Sequence, residues 1–255
     1  MRFALGIEYD GTGYFGWQRL REGPTLQGAV ESALSKVADR SIEVVCAGRT
    51  DAGVHARCQV VHFDCDVQRS DRAWLLGCNS LLPGGMAVLW ARRVATEFHA
   101  RYSARARRYS YAILNRPVRS ALTSRYVTWE RVPLDIDAMR RATEALQGRH
   151  DFSAFRSAAC QAKTAVRDVR EILIMREDDR VIVEIESNAF LHHMVRNIVG
   201  SLLLIGRGRQ SPEWMAEILG ARDRTRAGPT APAAGLTFIG PRYPAIFMLP
   251  SEVSL

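Results

Sequence analysis

The sequence predicts an α+β fold made of two successive β-α-β-β-α-β units. Three observations carry this. Period-two apolar alternation marks strands in both halves of the chain. Period-3.6 stretches, opened by Ser or Thr and closed by Gly or Pro, mark helices between those strands. The order of strands and helices then repeats across the middle of the chain, although the sequences of the halves are not visibly similar.

In the first half, residues 3–9 read as a strand. Thr25 caps a helix whose apolar face is Leu26, Ala29, Val30, Ala33, Leu34, Val37 and Ala38. Residues 42–47 form a short apolar strand, residues 48–56 a Gly-containing loop, and residues 59–64 a third strand. Ser70 caps a helix running to about residue 82, stopped by Pro83 and Gly84, and residues 86–94 form a fourth strand.

The second half opens with an alternating strand at 108–114, followed by an amphipathic helix at 134–147 that ends at Gly148. Residues 169–176 and 180–187 form a hairpin across 177–179. A strongly apolar helix is expected at 190–205, a short one at 211–219 with Ser211 as cap and Pro212 at its first position, and a last strand at 236–240. Each half therefore has the strand order of a ferredoxin-like unit. The expectation is two such halves joined into a mostly antiparallel sheet, with helices on its outer face and a central basic cleft. The boundary is placed at residues 1–104 and 105–255, within the arginine-rich stretch 101–108.

Composition narrows the function. With 47% apolar and 24% charged residues over 255 positions, the chain is an ordinary globular one. Its net charge of +8 favours an anionic partner, and nucleic acid is the commonest. All 35 basic residues except Lys36 and Lys163 are arginines. Arginine suits phosphates and bases, although genomic base composition explains the same bias. The five cysteines, Cys46, Cys58, Cys65, Cys78 and Cys160, show no CxxC spacing, which argues for reduced thiols rather than disulfides or zinc. There is no apolar leader and no long apolar run, so the expected location is cytoplasmic.

Four motifs carry the chemistry. Gly11, Gly13 and Gly16 match G-x-G-x-x-G after a strand, but the helix begins only at Thr25. A dinucleotide phosphate would find no helix N-terminus there, so these glycines are expected to shape a turn. Nearby Tyr14, Phe15 and Trp17 are candidates for stacking or packing. The second motif is GRTDAGVHA at 48–56, where Arg49 and Asp51 lie two residues apart. A carboxylate beside a guanidinium stays ionised and can serve as a nucleophile. By spacing alone, a structural ion pair closing the loop is the commoner explanation. The third motif, RARRYSY at 105–111, sets Tyr109 and Tyr111 on one face of a strand and Arg108 and Ser110 on the other. Such interleaving fits flipped RNA bases, and equally a buried Tyr face with a solvated Arg face. The fourth is FLHHMVRNIVG at 190–200, where His192, Arg196 and Gly200 would make one helical stripe and His193 and Asn197 another. An Arg on an apolar helix needs an acidic partner, and Asp51 is a candidate. The two histidines suggest a metal only weakly.

These residues resemble the tRNA pseudouridine synthase A family. The resemblance runs along the whole chain: YDGTGYFGWQ at 9–18, TLQGAVE at 25–31, GRTDAGVHA at 48–56, FHARYSARARRYSYAI at 98–113, GRHDFSAF at 148–155, FLHHMVRNIVG at 190–200 and APAAGL at 231–236. It implies a doubled ferredoxin-like fold and an isomerase that converts uridine to pseudouridine at positions 38, 39 and 40 of the tRNA anticodon stem-loop. It further implies a homodimer acting without cofactor or catalytic metal. Asp51 would be the catalytic aspartate, Tyr109 would contact the target uracil and Arg196 would pair with Asp51. Arg49 lies in the catalytic loop, and Arg105, Arg107 and Arg108 are expected to hold the RNA backbone.

Overall fold

The computed structural model describes residues 1–255. In chain order the strands are β1 (Arg2–Tyr9), β2 (Val45–Cys46), β3 (His55–Asp64), β4 (Met86–Val94), β5 (Ala106–Asn115), β6 (Thr128–Glu130), β7 (Gly148–Asp151), β8 (Val166–Glu177), β9 (Arg180–Ser187) and β10 (Leu236–Arg242). The helices are α1 (Leu26–Ala38), α2 (Asp71–Asn79), α3 (Ile136–Thr143), α4 (Met194–Gly206) and α5 (Trp214–Ala221). The fold is α+β, as the sequence predicts, and most strand pairs are antiparallel. No helix is long and apolar enough to cross a membrane.

The chain divides into two compact units, residues 1–106 with 237–255, and residues 107–236. In the first unit β1 is central, antiparallel to β3 on one side and β4 on the other. The far edge of β3 is shared. Its later residues pair with β2 (Val45 with His62), and its first residues pair in parallel with β10 (Thr237 with His55). The expected β-α-β-β-α-β order is present here. Thr25 caps α1 by accepting a hydrogen bond from the Gly28 amide, and Ser70 caps α2 through the Ala73 amide. Helix α2 is pinned to the sheet by Trp74, whose ring meets Phe63 edge-on at 5.1 Å, with Phe3 stacked against Phe63 at 5.6 Å. All three are buried, which contributes roughly 2 kcal/mol each.

The C-terminal segment departs from the expected division at 104/105. Residues 237–255 pack with the first unit, because β10 pairs with β3 and the buried Tyr243 hydroxyl donates to the Ala100 carbonyl at 2.6 Å.

In the second unit β5, β9, β8 and β7 follow one another antiparallel, and β6 adds in parallel to β5. The β8–β9 hairpin turns through Asp178 and Asp179, with Asp178 at φ 51°. Strands β6 and β7 went unread in the sequence because three or four residues are too few to show alternation.

Helix ends shift as well. Helix α4 begins at Met194, not at residue 190, since His193 adopts a left-handed backbone (φ 63°) that cannot continue a helix. The expected stripe through His192 therefore reduces to Arg196 and Gly200. Helix α5 begins at Trp214, so Ser211 and Pro212 form the turn before it rather than its cap and first residue.

Candidate active site

The first unit holds Asp51 at the start of a tight turn. The Val54 amide donates to the Asp51 carbonyl at 3.2 Å, and Gly53, third in the turn, has φ 77°. That conformation favours glycine. Around the turn the backbone is held by buried polar groups. Tyr9 and Thr50 hydroxyls lie 2.7 Å apart, the Gln59 amide donates to the Gly48 carbonyl at 2.6 Å, and the Trp17 amide donates to the Thr50 carbonyl at 3.0 Å. Burial pushes the Tyr9 phenol well above its ordinary range, so it stays neutral and remains a donor.

The glycine run finds its purpose at this loop. A Cβ on Gly11 would lie 2.0 Å from the Val54 carbonyl oxygen, and one on Gly16 2.9 Å from that of Thr50. Gly16 also has φ 91°. These glycines let residues 11–16 lie directly against the Asp51 loop. The Gly11 amide donates to His55 Nδ1 at 3.1 Å and ties the run to the start of β3. Of the three aromatic candidates, Trp17 is buried, Tyr14 is half-buried, and Phe15 is 59% exposed.

Asp51 is half-buried and Arg49 exposed. The ion pair expected from their spacing does not form: no ion pair involves Arg49. The buried Thr50 between them anchors the chain, and the backbone turns immediately at Asp51. Arg105 is exposed, and its amide donates to the Arg242 carbonyl at 2.8 Å.

The second unit carries Tyr109 and Arg196. Tyr109 is buried on β5, its ring edge-on to Phe190 at 5.0 Å. Tyr111, on the same face, is wholly buried. Its hydroxyl donates to the Pro232 carbonyl at 2.8 Å and lies 2.5 Å from the Thr128 hydroxyl. Burial pushes this phenol up to about 12, partly opposed by Thr128 and by the positive charge of Arg196. The half-buried Arg196 donates through Nε to the Ala231 carbonyl at 2.7 Å, and the Ala231 amide returns a bond to the Arg196 carbonyl. Adjacent carbonyls of one loop thus fix Arg196 and Tyr111 together. Arg107 donates to the Asn188 carbonyl, and Arg108 is held in an ion pair with Glu184 on β9. Arg108 is therefore less available to phosphate than the sequence suggests.

The same loop is locked to α4. Asn197, wholly buried, donates to the Phe155 carbonyl at 2.8 Å and accepts from Thr230 at 2.6 Å and Arg224 at 3.0 Å. A Cβ on Gly200 would lie 1.7 Å from the Pro229 carbonyl oxygen. Sequence reasoning passed over Tyr9, Gln59 and Asn197 as functional positions. The available signal was a polar residue inside an otherwise apolar strand or helix, which costs free energy unless hydrogen-bonded.

Known proteins match this chain throughout. A family model described as tRNA pseudouridine synthase matches residues 6–103 and 142–244. Proteins named tRNA pseudouridine synthase A from Xanthomonas oryzae pv. oryzae and from Stenotrophomonas maltophilia are each 57% identical to it, over 100% of both chains. A solved Cbf5-Nop10-Gar1 complex aligns with 98% of this chain and 51% of that chain at 12% identity and a TM-score of 0.38, too loose a likeness to carry weight. On the family model and the full-length identities, the chain belongs to the tRNA pseudouridine synthase A family.

Proposed function

We propose that this chain isomerises uridine to pseudouridine in the anticodon stem-loop of tRNA, at positions 38, 39 and 40, with Asp51 as nucleophile on a flipped-out base. The observation that carries this is the mounting of Asp51. A half-buried carboxylate sits on a glycine turn whose flanking carbonyls are held by Gln59 and by Trp17. Such a group is aimed in advance, which a nucleophile needs.

The reaction breaks the N1–C1′ bond, turns the uracil and forms a C5–C1′ bond. The C5 proton leaves and N1 gains one, so no oxidant and no cofactor enter the balance. Asp51 attacks C6 of the ring or C1′ of the ribose. Tyr109 contacts the uracil and helps remove the C5 proton, and Arg196 completes the catalytic set. Arg49, Arg105 and Arg107 serve the RNA backbone, with a smaller part for the ion-paired Arg108. Extracting the base from its stack costs a few kcal/mol. The working form is proposed to be a cytoplasmic homodimer.

The test uses tRNA carrying tritium at uridine C5. The protein alone is expected to release tritium, and Asp51→Asn to release none while still binding tRNA. Normal release by Asp51→Asn would remove Asp51 as the nucleophile. Tight binding without release by the unaltered protein would make this an RNA-binding protein instead.

A further inference from the structure

The second unit carries a concavity of about 840 Å³ beside the C-terminus of α4, which the chemistry above does not use. One wall is Trp129 and Val132, 43% and 39% exposed. The Trp129 indole N–H is taken by the Arg116 carbonyl at 2.9 Å, so the ring offers its apolar surface. The buried Glu130 is already satisfied. One carboxylate oxygen accepts from the Val132 amide at 2.8 Å, and the other accepts from Arg207 Nε at 2.9 Å.

The last carbonyls of α4 are satisfied too. Leu203, Leu204, Ile205 and Gly206 accept from the amides of Arg207, Arg209, Gly208 and Asp135. No orphan carbonyl is left at this helix end to repel an anion. What remains is positive: Arg131 and Arg209 line the cavity, are exposed and take part in no ion pair.

An aromatic wall with two uncommitted guanidiniums matches a base and its flanking phosphates. We infer that this concavity binds an unpaired nucleotide of the RNA substrate, with its base against Trp129 and its phosphates at Arg131 and Arg209. The inference rests on the proposed RNA substrate and gives the chain an RNA contact separate from the residues that carry the chemistry.

The test measures tRNA binding across a salt series for the full-length protein. Replacing Arg131 and Arg209 together by Glu is expected to weaken binding by about tenfold and lower the salt slope by about two. Trp129→Ala should weaken it by about tenfold, with partial recovery in Trp129→Phe. Arg69→Glu, an exposed arginine of the first unit, serves as the charge control. Unchanged affinity and slope in the double variant overturn the inference, as does an equal loss in Arg69→Glu. Uridine monophosphate is titrated in parallel, and Trp129-dependent binding as tight as that of tRNA would make this a small-molecule site instead. Tritium release by the unaltered protein separates the two hypotheses. Without release the proposed function fails, whereas release with unchanged affinity in the double variant defeats this inference alone.

Discussion

The loop that carries Asp51 and the helix that carries Arg196 solve one problem in different ways. Each must present a charged side chain from a partly buried position. In the first unit the device is a turn, with backbone carbonyls of residues 48 and 50 gripped by Gln59 and Trp17, and with glycines lying against it. In the second unit it is an apolar helix locked to the loop at 224–231 through Asn197, Gly200 and the Ala231 carbonyl. Rigid placement thus comes mainly from bonds to main-chain carbonyls where the element is a short loop, and mainly from side-chain bonds made by Asn197 and Arg196 where it is a helix. In both, glycine allows backbone to approach backbone.

The largest effect is expected where that approach is closest. Gly200→Ala places a methyl 1.7 Å from a carbonyl oxygen, so either α4 or the 229 loop must move. A loss of about 3 kcal/mol or more in urea unfolding is expected, with little soluble protein. Gly11→Ala meets the Val54 carbonyl at 2.0 Å and should cost a similar amount, while disturbing Asp51 directly. Stability unchanged from that of the unaltered protein in both variants would show that neither approach is as rigid as described.

Asn197→Leu tests the side-chain lock. It leaves the buried Phe155 carbonyl without its donor and the Thr230 hydroxyl without its acceptor, while Arg224 keeps its bonds to Ala227, Gly228 and Thr230. A loss of about 1–3 kcal/mol in chemical denaturation is expected, chiefly from the unpaired Phe155 carbonyl. Tyr9→Phe tests the grip on the Asp51 loop by removing the hydroxyl that bonds the Thr50 side chain. It should cost only about 1 kcal/mol in stability. Its larger consequence is a lower kcat with KM nearly unchanged, because Asp51 loses aim rather than substrate contact. If stability falls but kcat does not, the grip is structural only.

A further effect depends on pH. His62 on β3 is held neutral by burial, with its pKa lowered from 6.5 to about 4, and its Nδ1 accepts from the Ala100 amide. A histidine with a depressed folded-state pKa stabilises the fold fully above pH 6.5. That contribution fades as the pH falls toward 4, because the unfolded chain takes up the proton first. The urea midpoint should therefore drop between pH 7 and 4.5, and His62→Asn, which keeps an acceptor but does not titrate, should flatten that drop.

Much of this molecule is written locally. The capping residues Thr25 and Ser70, the β8–β9 hairpin, the strand β4 and the α-β order of the first unit all follow from short-range periodicity, because each is fixed by neighbours a few residues away. The motif around Asp51 was visible as well, and its resemblance to a known family was specific. Four features needed the tertiary structure. The sequence could not show that the glycines at 11 and 16 serve the Asp51 loop, that Arg49 stands apart from Asp51, or that α4 starts after His193. Nor could it show that residues 237–255 return to the first unit. Each depends on contacts between segments distant in sequence, where packing and hydrogen-bond satisfaction outweigh local preference.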